Sequence, residues 1–305
     1  MGKIAFIFPG QGSQYVGMGE DFYQEHEIYK EVIESASKAS GLNLVELLYK
    51  ENSDIHVTEF TQIAVLATEI AMLRVVEAYG VRADVTAGLS LGEYAALVAS
   101  GTLLQEDAFW VVRKRGMLMQ DAYPTGGAMV AVLGADTAFV EDICSSIELE
   151  VSIANYNCPG QIVITGEREG VLEATRILKD AGIRKCIPLK VSGPFHSSLL
   201  KEAGVSLGRE LEAIAVRTPD IPYITNVTGD YVTDEGEVKN LLSRQVFNSV
   251  RWEQSMERMI ADGVDTFIEI GPGKTLTGFM KKINPDVTCI QIEKSKDLVK
   301  LDPYI

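Results

Sequence analysis

Ala83-Asp84-Val85-Thr86-Ala87-Gly88-Leu89-Ser90-Leu91-Gly92-Glu93-Tyr94-Ala95-Ala96-Leu97-Val98-Ala99 reads as a strand, a tight turn and a helix in succession. Its first five residues form a short apolar run suited to a buried strand, and its last seven have helical composition. Between them stands G-x-S-x-G, Gly88 to Gly92, which lifts a serine hydroxyl out on a sharp strand-to-helix turn. The glycines permit the tight turn and close backbone approach. A serine hydroxyl is a weak nucleophile at neutral pH, so Ser90 needs a neighbouring base. The helix beginning just after it offers a peptide N–H and a dipole to a developing oxyanion. The plainer reading is a Gly-rich connection in an α/β domain; the flanking strand and helix favour the nucleophile.

A length of 305 residues with 46% hydrophobic and 23% charged content suits a soluble globular protein of one large domain with an insertion, or of two domains. No apolar run approaches the ~18 residues of a membrane span. The start, Met1 to Pro9, lacks the length and cleavage site of a signal peptide, and Phe6 stands where a myristoylation signal needs Ser or Thr. A cytoplasmic location is expected. Cys144, Cys158, Cys186 and Cys289 form no C-x-x-C pair, so neither a disulfide framework nor a metal site is expected. A net charge of −15 argues against nucleic-acid binding and requires a local positive group for any anionic ligand.

The first strand, residues 3–8, runs into Pro9-Gly10-Gln11-Gly12-Ser13-Gln14, and long helical stretches follow, notably 62–79 and 106–122. Strands among such helices indicate a mainly parallel sheet. After Pro124-Thr125-Gly126-Gly127 the rhythm changes. Strand 128–133, helix 137–146, strands 150–154 and 161–165, helix 170–181 and strand 185–191 have the order βαββαβ of a ferredoxin-like unit. The expected architecture is therefore α/β: a large α/β-hydrolase-like domain, 1–125 and 193–305, with an inserted ferredoxin-like subdomain, 126–192. The large domain resumes with a helix from Ser197, a strand at 223–226, helices across 238–261, a strand at 266–270, a helix after Gly273 and a strand at 288–292. The cleft between the two is the natural place for a ligand.

Only three histidines can serve as base. His26 lies in an acidic stretch that reads as solvated surface, and His56 in a polar connection. His196 follows Ser192-Gly193-Pro194-Phe195, where the subdomain returns to the large domain, which puts it at the cleft; its alternative role is capping the next helix. Glu269 or Asp265 could orient the imidazole, and so could a backbone carbonyl, so triad and dyad both stand. At about 100° per residue, Arg115 falls among Ala108, Val111, Val112 and Met119 on the apolar side of its helix, unlike Arg113 and Lys114. A guanidinium there must pair with a structural acid or with a substrate carboxylate. Gly10 to Tyr15 lacks the third glycine of a dinucleotide fingerprint, and Ile268 stands where a phosphate loop ending at Gly273-Lys274-Thr275 needs glycine. No cofactor is expected. The first of these loops is better placed to offer a backbone N–H to an oxyanion.

Six ordered motifs then define a resemblance over nearly the whole chain: Phe8 to Gln14, Gly88 to Tyr94, Arg113-Lys114-Arg115-Gly116, Asn155-Tyr156-Asn157-Cys158-Pro159-Gly160-Gln161, Gly193-Pro194-Phe195-His196 and Glu269-Ile270-Gly271-Pro272-Gly273-Lys274. The chain resembles the malonyl-CoA:acyl carrier protein transacylases of fatty acid synthesis. The resemblance implies Ser90 as acyl-accepting nucleophile, His196 as base, and the backbone N–H groups of Gln11 and Leu91 as oxyanion donors. It implies Arg115 as ligand of the malonyl carboxylate and the main-chain carbonyl of Gln245 as the group holding His196, hence a Ser-His dyad. It also implies Phe195 as a wall against an α-methyl branch. Leu89 departs from the family, which usually has His before the nucleophile; the change removes a polar group from the pocket wall.

The implied reaction is a ping-pong transfer of malonyl from coenzyme A to the phosphopantetheine thiol of acyl carrier protein through a serine ester. The acidic carrier needs a basic patch on this acidic chain. Arg184 and Lys185 match where the family places one, with Lys190 and Lys201 as further candidates. A monomer is expected, with neither nucleic acid nor membrane as partner. The rivals are a free-standing acyltransferase loading polyketide synthase carrier domains, a serine hydrolase, and a non-catalytic scaffold, against which the intact Ser90, His196 and Arg115 set argues.

Overall fold

The computed structural model describes residues 2–191 and 193–305. In chain order, β1 (Lys3–Phe8) is followed by four helices, α1 (Glu20–Glu25), α2 (Glu27–Ser40), α3 (Leu44–Tyr49) and α4 (Thr58–Ala78). Next come β2 (Val85–Gly88), α5 (Gly92–Ala99) and α6 (Gln105–Ala122). The inserted region holds β3 (Gly127–Leu133), α7 (Thr137–Ser146), β4 (Val151–Cys158), β5 (Gln161–Glu167), α8 (Arg168–Asp180) and β6 (Lys185–Pro188). The chain continues with α9 (Lys201–Leu211), β7 (Tyr223–Ile224), α10 (Val238–Gln245), β8 (Val250–Arg251), α11 (Trp252–Ala261), β9 (Val264–Ile270), α12 (Thr275–Ile283) and β10 (Thr288–Ile292).

The large sheet is parallel throughout, in the order β10-β9-β1-β2-β7. Side chains alternate across a strand, so β1 feeds two cores. Ile4, Phe6 and Phe8 join the cluster under α4 and α6, whereas Ala5 and Ile7 join the one formed with Trp252, Met256, Phe267 and Leu276. A sheet buried on both faces explains why its strands read as continuous apolar runs. Ligands of such sheets sit beyond the carboxyl ends of the strands, and the loops after β1 and β2 carry Gln11 and Ser90 there.

The second sheet has the order β6-β3-β5-β4-β8. Its first four strands are antiparallel, in the arrangement the βαββαβ pattern requires. The fifth comes from outside that unit: β8 pairs parallel with β4, Asn155 opposite Val250 and Tyr156 opposite Arg251. The helices expected across 238–261 are α10 and α11, and a short strand not foreseen from sequence lies between them. Asn248 and Ser249 favour backbone conformations other than helix, and the chain leaves α10, forms β8 and re-enters helix at Trp252. The last strand of the unit is also shorter than expected, ending at Pro188. Ser192, in the expected junction, lies outside the described residues. No helix among the described residues is long and apolar enough to cross a membrane.

Candidate active site

The turn from β2 into α5 places Ser90 in the left-handed region, φ 54°, an uncommon conformation for a residue other than glycine. Two glycines allow it. A Cβ on Gly88 would collide with the backbone of Gly92, and one on Gly92 with the carbonyls of Phe8 and Pro9. The elbow thus lies backbone to backbone against the end of β1, which brings the Gln11 loop beside Ser90. Asn226, two residues past β7, fastens the turn. Its Oδ1 accepts from Ser90 N at 2.6 Å and its Nδ2 donates to Gly88 O at 2.7 Å.

His196 also has positive φ, 62°, and is 4% exposed. Its Nδ1 faces two backbone carbonyls, Gln245 O at 2.8 Å and Asn248 O at 3.2 Å. Carbonyls only accept, so Nδ1 carries the proton and the Nε2 lone pair faces Ser90 Oγ at 2.8 Å. Burial, and then the Arg115 charge, lower the imidazole pKa to about 4, against the opposing pull of the two carbonyls. The imidazole is therefore neutral at neutral pH. No carboxylate among the described residues orients it: Glu269 accepts from Leu276 N and Thr277 N at the start of α12, and Asp265 from Thr266 Oγ1. Both candidate acids are set aside on those contacts.

Arg115 lies on the buried face of α6, 1% exposed. Gly116 lets α6 approach α4 closely, since a Cβ there would sit 3.0 Å from Glu59 Cα. That approach brings Gln62 to the guanidinium. Nη1 donates to Gln62 Oε1 at 2.7 Å, and Nη2 to Gln245 Oε1 at 3.0 Å and Ser90 Oγ at 3.2 Å. All three partners are neutral. Neighbouring Arg113 is satisfied by Glu59 at 2.8 Å, whereas no carboxylate among the described residues lies within ion-pair distance of Arg115, and its Nε has no partner there. A buried cation left without a direct ion pair is chemically prepared for an anionic ligand.

Ser90, His196, Arg115, Gln11, Gln62, Leu89 and Phe195 converge on one cavity of about 240 Å³, which Asn155, Asn157 and Gln161 close from the small sheet. Leu91 turns its side chain into the core from the N-terminus of α5. Arg184, Lys185, Lys190 and Lys201 are exposed. His56 is exposed, whereas His26, expected on solvated surface, is only partly exposed, with Nε2 2.8 Å from Ser295 Oγ. Sequence reasoning missed Gln62, Glu93, Asn226 and Asn248. An acidic residue in the first turn of α5 also fits a helix dipole, and nothing local marks the others.

The acyl transferase domain family matches residues 5–288. The malonyl CoA-acyl carrier protein transacylase of Bacillus subtilis (strain 168) is 43% identical over 297 residues, spanning 96% of this chain and 94% of that protein. A solved structure of MCAT from Streptococcus pneumoniae superposes with a TM-score of 0.93 at 43% identity, covering 98% of this chain and 99% of that one. A solved complex of a type II PKS acyl-carrier protein with its malonyl-transacylase superposes with a TM-score of 0.95 at 36% identity, covering 98% of each chain. Fold, site geometry and likeness along the whole chain agree: it belongs to the acyl transferase domain family, among the malonyl CoA-acyl carrier protein transacylases.

Proposed function

We propose that this chain moves malonyl from coenzyme A to the phosphopantetheine thiol of acyl carrier protein in fatty acid synthesis, by a Ser-His dyad and through a malonyl ester on Ser90. The observation that carries the reading is the pairing of a neutral His196 Nε2 at 2.8 Å from Ser90 Oγ with a buried Arg115, free of any direct ion pair among the described residues, 3.2 Å from the same oxygen. Ser90 attacks the thioester carbonyl while His196 takes its proton. The N–H groups of Leu89, Ser90 and Gly92 are engaged with Phe8 O, Asn226 Oδ1 and Leu89 O. That of Leu91, facing the turn, joins Gln11 N–H as donor to the oxyanion. Collapse breaks the carbon–sulfur bond, and His196 returns its proton to the departing thiolate of coenzyme A. The carrier thiol then gives its proton to His196 and attacks the ester. Collapse of that second intermediate restores the Ser90 hydroxyl.

Arg115 binds the malonyl carboxylate bidentately, which an acetyl group cannot match. A simple hydrolase has no use for such a cation. Phe195 crowds an α-methyl branch, and Arg184 and Lys185, on the exposed end of the segment 126–192 that acts as a subdomain, meet the acidic carrier. The enzyme acts in the cytoplasm as a monomer. Intact-protein mass spectrometry after brief exposure to malonyl-CoA tests the reading. A malonyl adduct is expected on the native chain but not on Ser90→Ala, and it should pass to added carrier protein. Release of free malonate with no transfer would replace this reading by hydrolysis.

A further inference from the structure

Glu93 is fully buried three residues after the nucleophile, and the reaction above does not use it. Its Oε2 accepts from Asn226 N at 3.0 Å and from Gln245 Nε2 at 2.6 Å. Each partner is itself attached to the reacting groups. Asn226 holds the strained turn through Ser90 N and Gly88 O. Gln245 gives its backbone carbonyl to His196, its Nε2 also to Ser90 O at 2.9 Å, and its Oε1 to Arg115 Nη2 at 3.0 Å.

The orientation of the Gln245 carboxamide follows from these contacts. The Glu93 oxygen that receives two N–H groups acts as an acceptor, so the NH2 end must face it and the oxygen must face Arg115. With the carboxamide between them, Glu93 and Arg115 never meet, and the guanidinium stays free of a direct counter-ion while one of its nitrogens is aimed. We infer that Glu93 is a positioning residue for acyl selection. Through Gln245 and Asn226 it fixes where Arg115 and Ser90 stand relative to each other. Without it the carboxamide can rotate, and Arg115 loses the acceptor that sets its approach to a substrate carboxylate.

The inference rests on the malonyl-transfer reading, and its test separates the two. Competition between malonyl-CoA and acetyl-CoA for the Ser90 adduct gives a ratio of rate constants that is independent of how much of the protein is active. Misplacement of a binding group by about 1 Å can cost on the order of a hundredfold in rate. We expect Glu93→Ala to lower the malonyl-to-acetyl ratio at least about tenfold on that scale. Glu93→Gln, whose amide oxygen can accept the same two N–H groups, should stay within about threefold of the native ratio. Glu93→Asp, one methylene short of Gln245, should fall with alanine and supplies the answer should the alanine variant not fold. A lowered melting temperature or active fraction with the native ratio in Glu93→Ala and Glu93→Asp would reduce Glu93 to a structural acid and overturn the inference. Failure of the native chain to form a malonyl adduct would instead overturn the function on which it rests.

Discussion

Replacing Arg115 by methionine should abolish acyl discrimination while leaving the fold in place. The guanidinium is 1% exposed, so solvent screening does not soften its pairing with a bound carboxylate. Removing one partner of a buried pair costs about 3–5 kcal/mol. At about 1.4 kcal/mol per factor of ten, that is a loss of roughly a hundredfold to several thousandfold in malonyl over acetyl preference. The free enzyme behaves differently. There the cation carries the cost of burial with no direct ion pair, only partly offset by the charge of buried Glu93 beyond Gln245, and its loss relieves that cost. The oxygens of Gln62 and Gln245, which receive its hydrogen bonds at 2.7 and 3.0 Å, are left without that donor. Each such orphan costs about 1–3 kcal/mol, comparable to the relief, so stability should change little. The assay is competitive acylation by malonyl-CoA and acetyl-CoA read by intact mass, beside thermal melts without substrate. A selectivity change under about tenfold would refute the assignment of Arg115 as the carboxylate ligand.

The same arginine should appear in the pH dependence. With the His196 pKa lowered to about 4, the acid limb of kcat/KM for acylation lies near that pH, and it should move upward in Arg115→Met because one of the two causes is removed. Native stability should also respond. A histidine held neutral in the fold is protonated first in the unfolded chain, so its contribution is intact above pH 6.5 and is lost as pH falls from there to about 4. The loss is about 3 kcal/mol, measurable as a steeper acid decline in the native protein than in His196→Gln. Gly92→Ala should destabilise by about 1–3 kcal/mol or more, because its Cβ meets two backbone carbonyls, seen as a lowered melting temperature. Gly278→Ala, in α12 with nothing within 4 Å, should stabilise by about 1 kcal/mol in the same melts. Arg184→Glu with Lys185→Glu should raise KM for the carrier protein and leave acylation by malonyl-CoA unchanged.

The elements with strong periodicity or glycine punctuation were legible from sequence. Thr137–Ser146 and Thr288–Ile292 occupy the expected residues, and the βαββαβ order returned the small sheet. Helical phase alone put Arg115 inside, because an arginine among Ala108, Val111, Val112 and Met119 shares their face. Phase does not say what a buried guanidinium meets, and its partners Gln62 and Gln245 lie far away in sequence. Glu93 and Asn226 stayed hidden for a related reason: each is a buried polar residue with a partner more than a hundred positions away, as between Glu93 and Asn226, and periodicity carries no such information. β8 escaped because two residues are too few for a strand pattern.

The borrowed strand bears on how this enzyme can be re-engineered. The segment that supplies Gln245 O and Asn248 O to His196 goes on at once to Ser249, whose hydroxyl bonds Ile153 O at 2.6 Å, and to β8 on the edge of β4. A graft exchanging residues 126–192 alone would import a sheet edge cut for a different neighbour and tug on the loop that seats His196. The transplantable unit is therefore discontinuous: the inserted segment together with residues 245–251, carried as one piece.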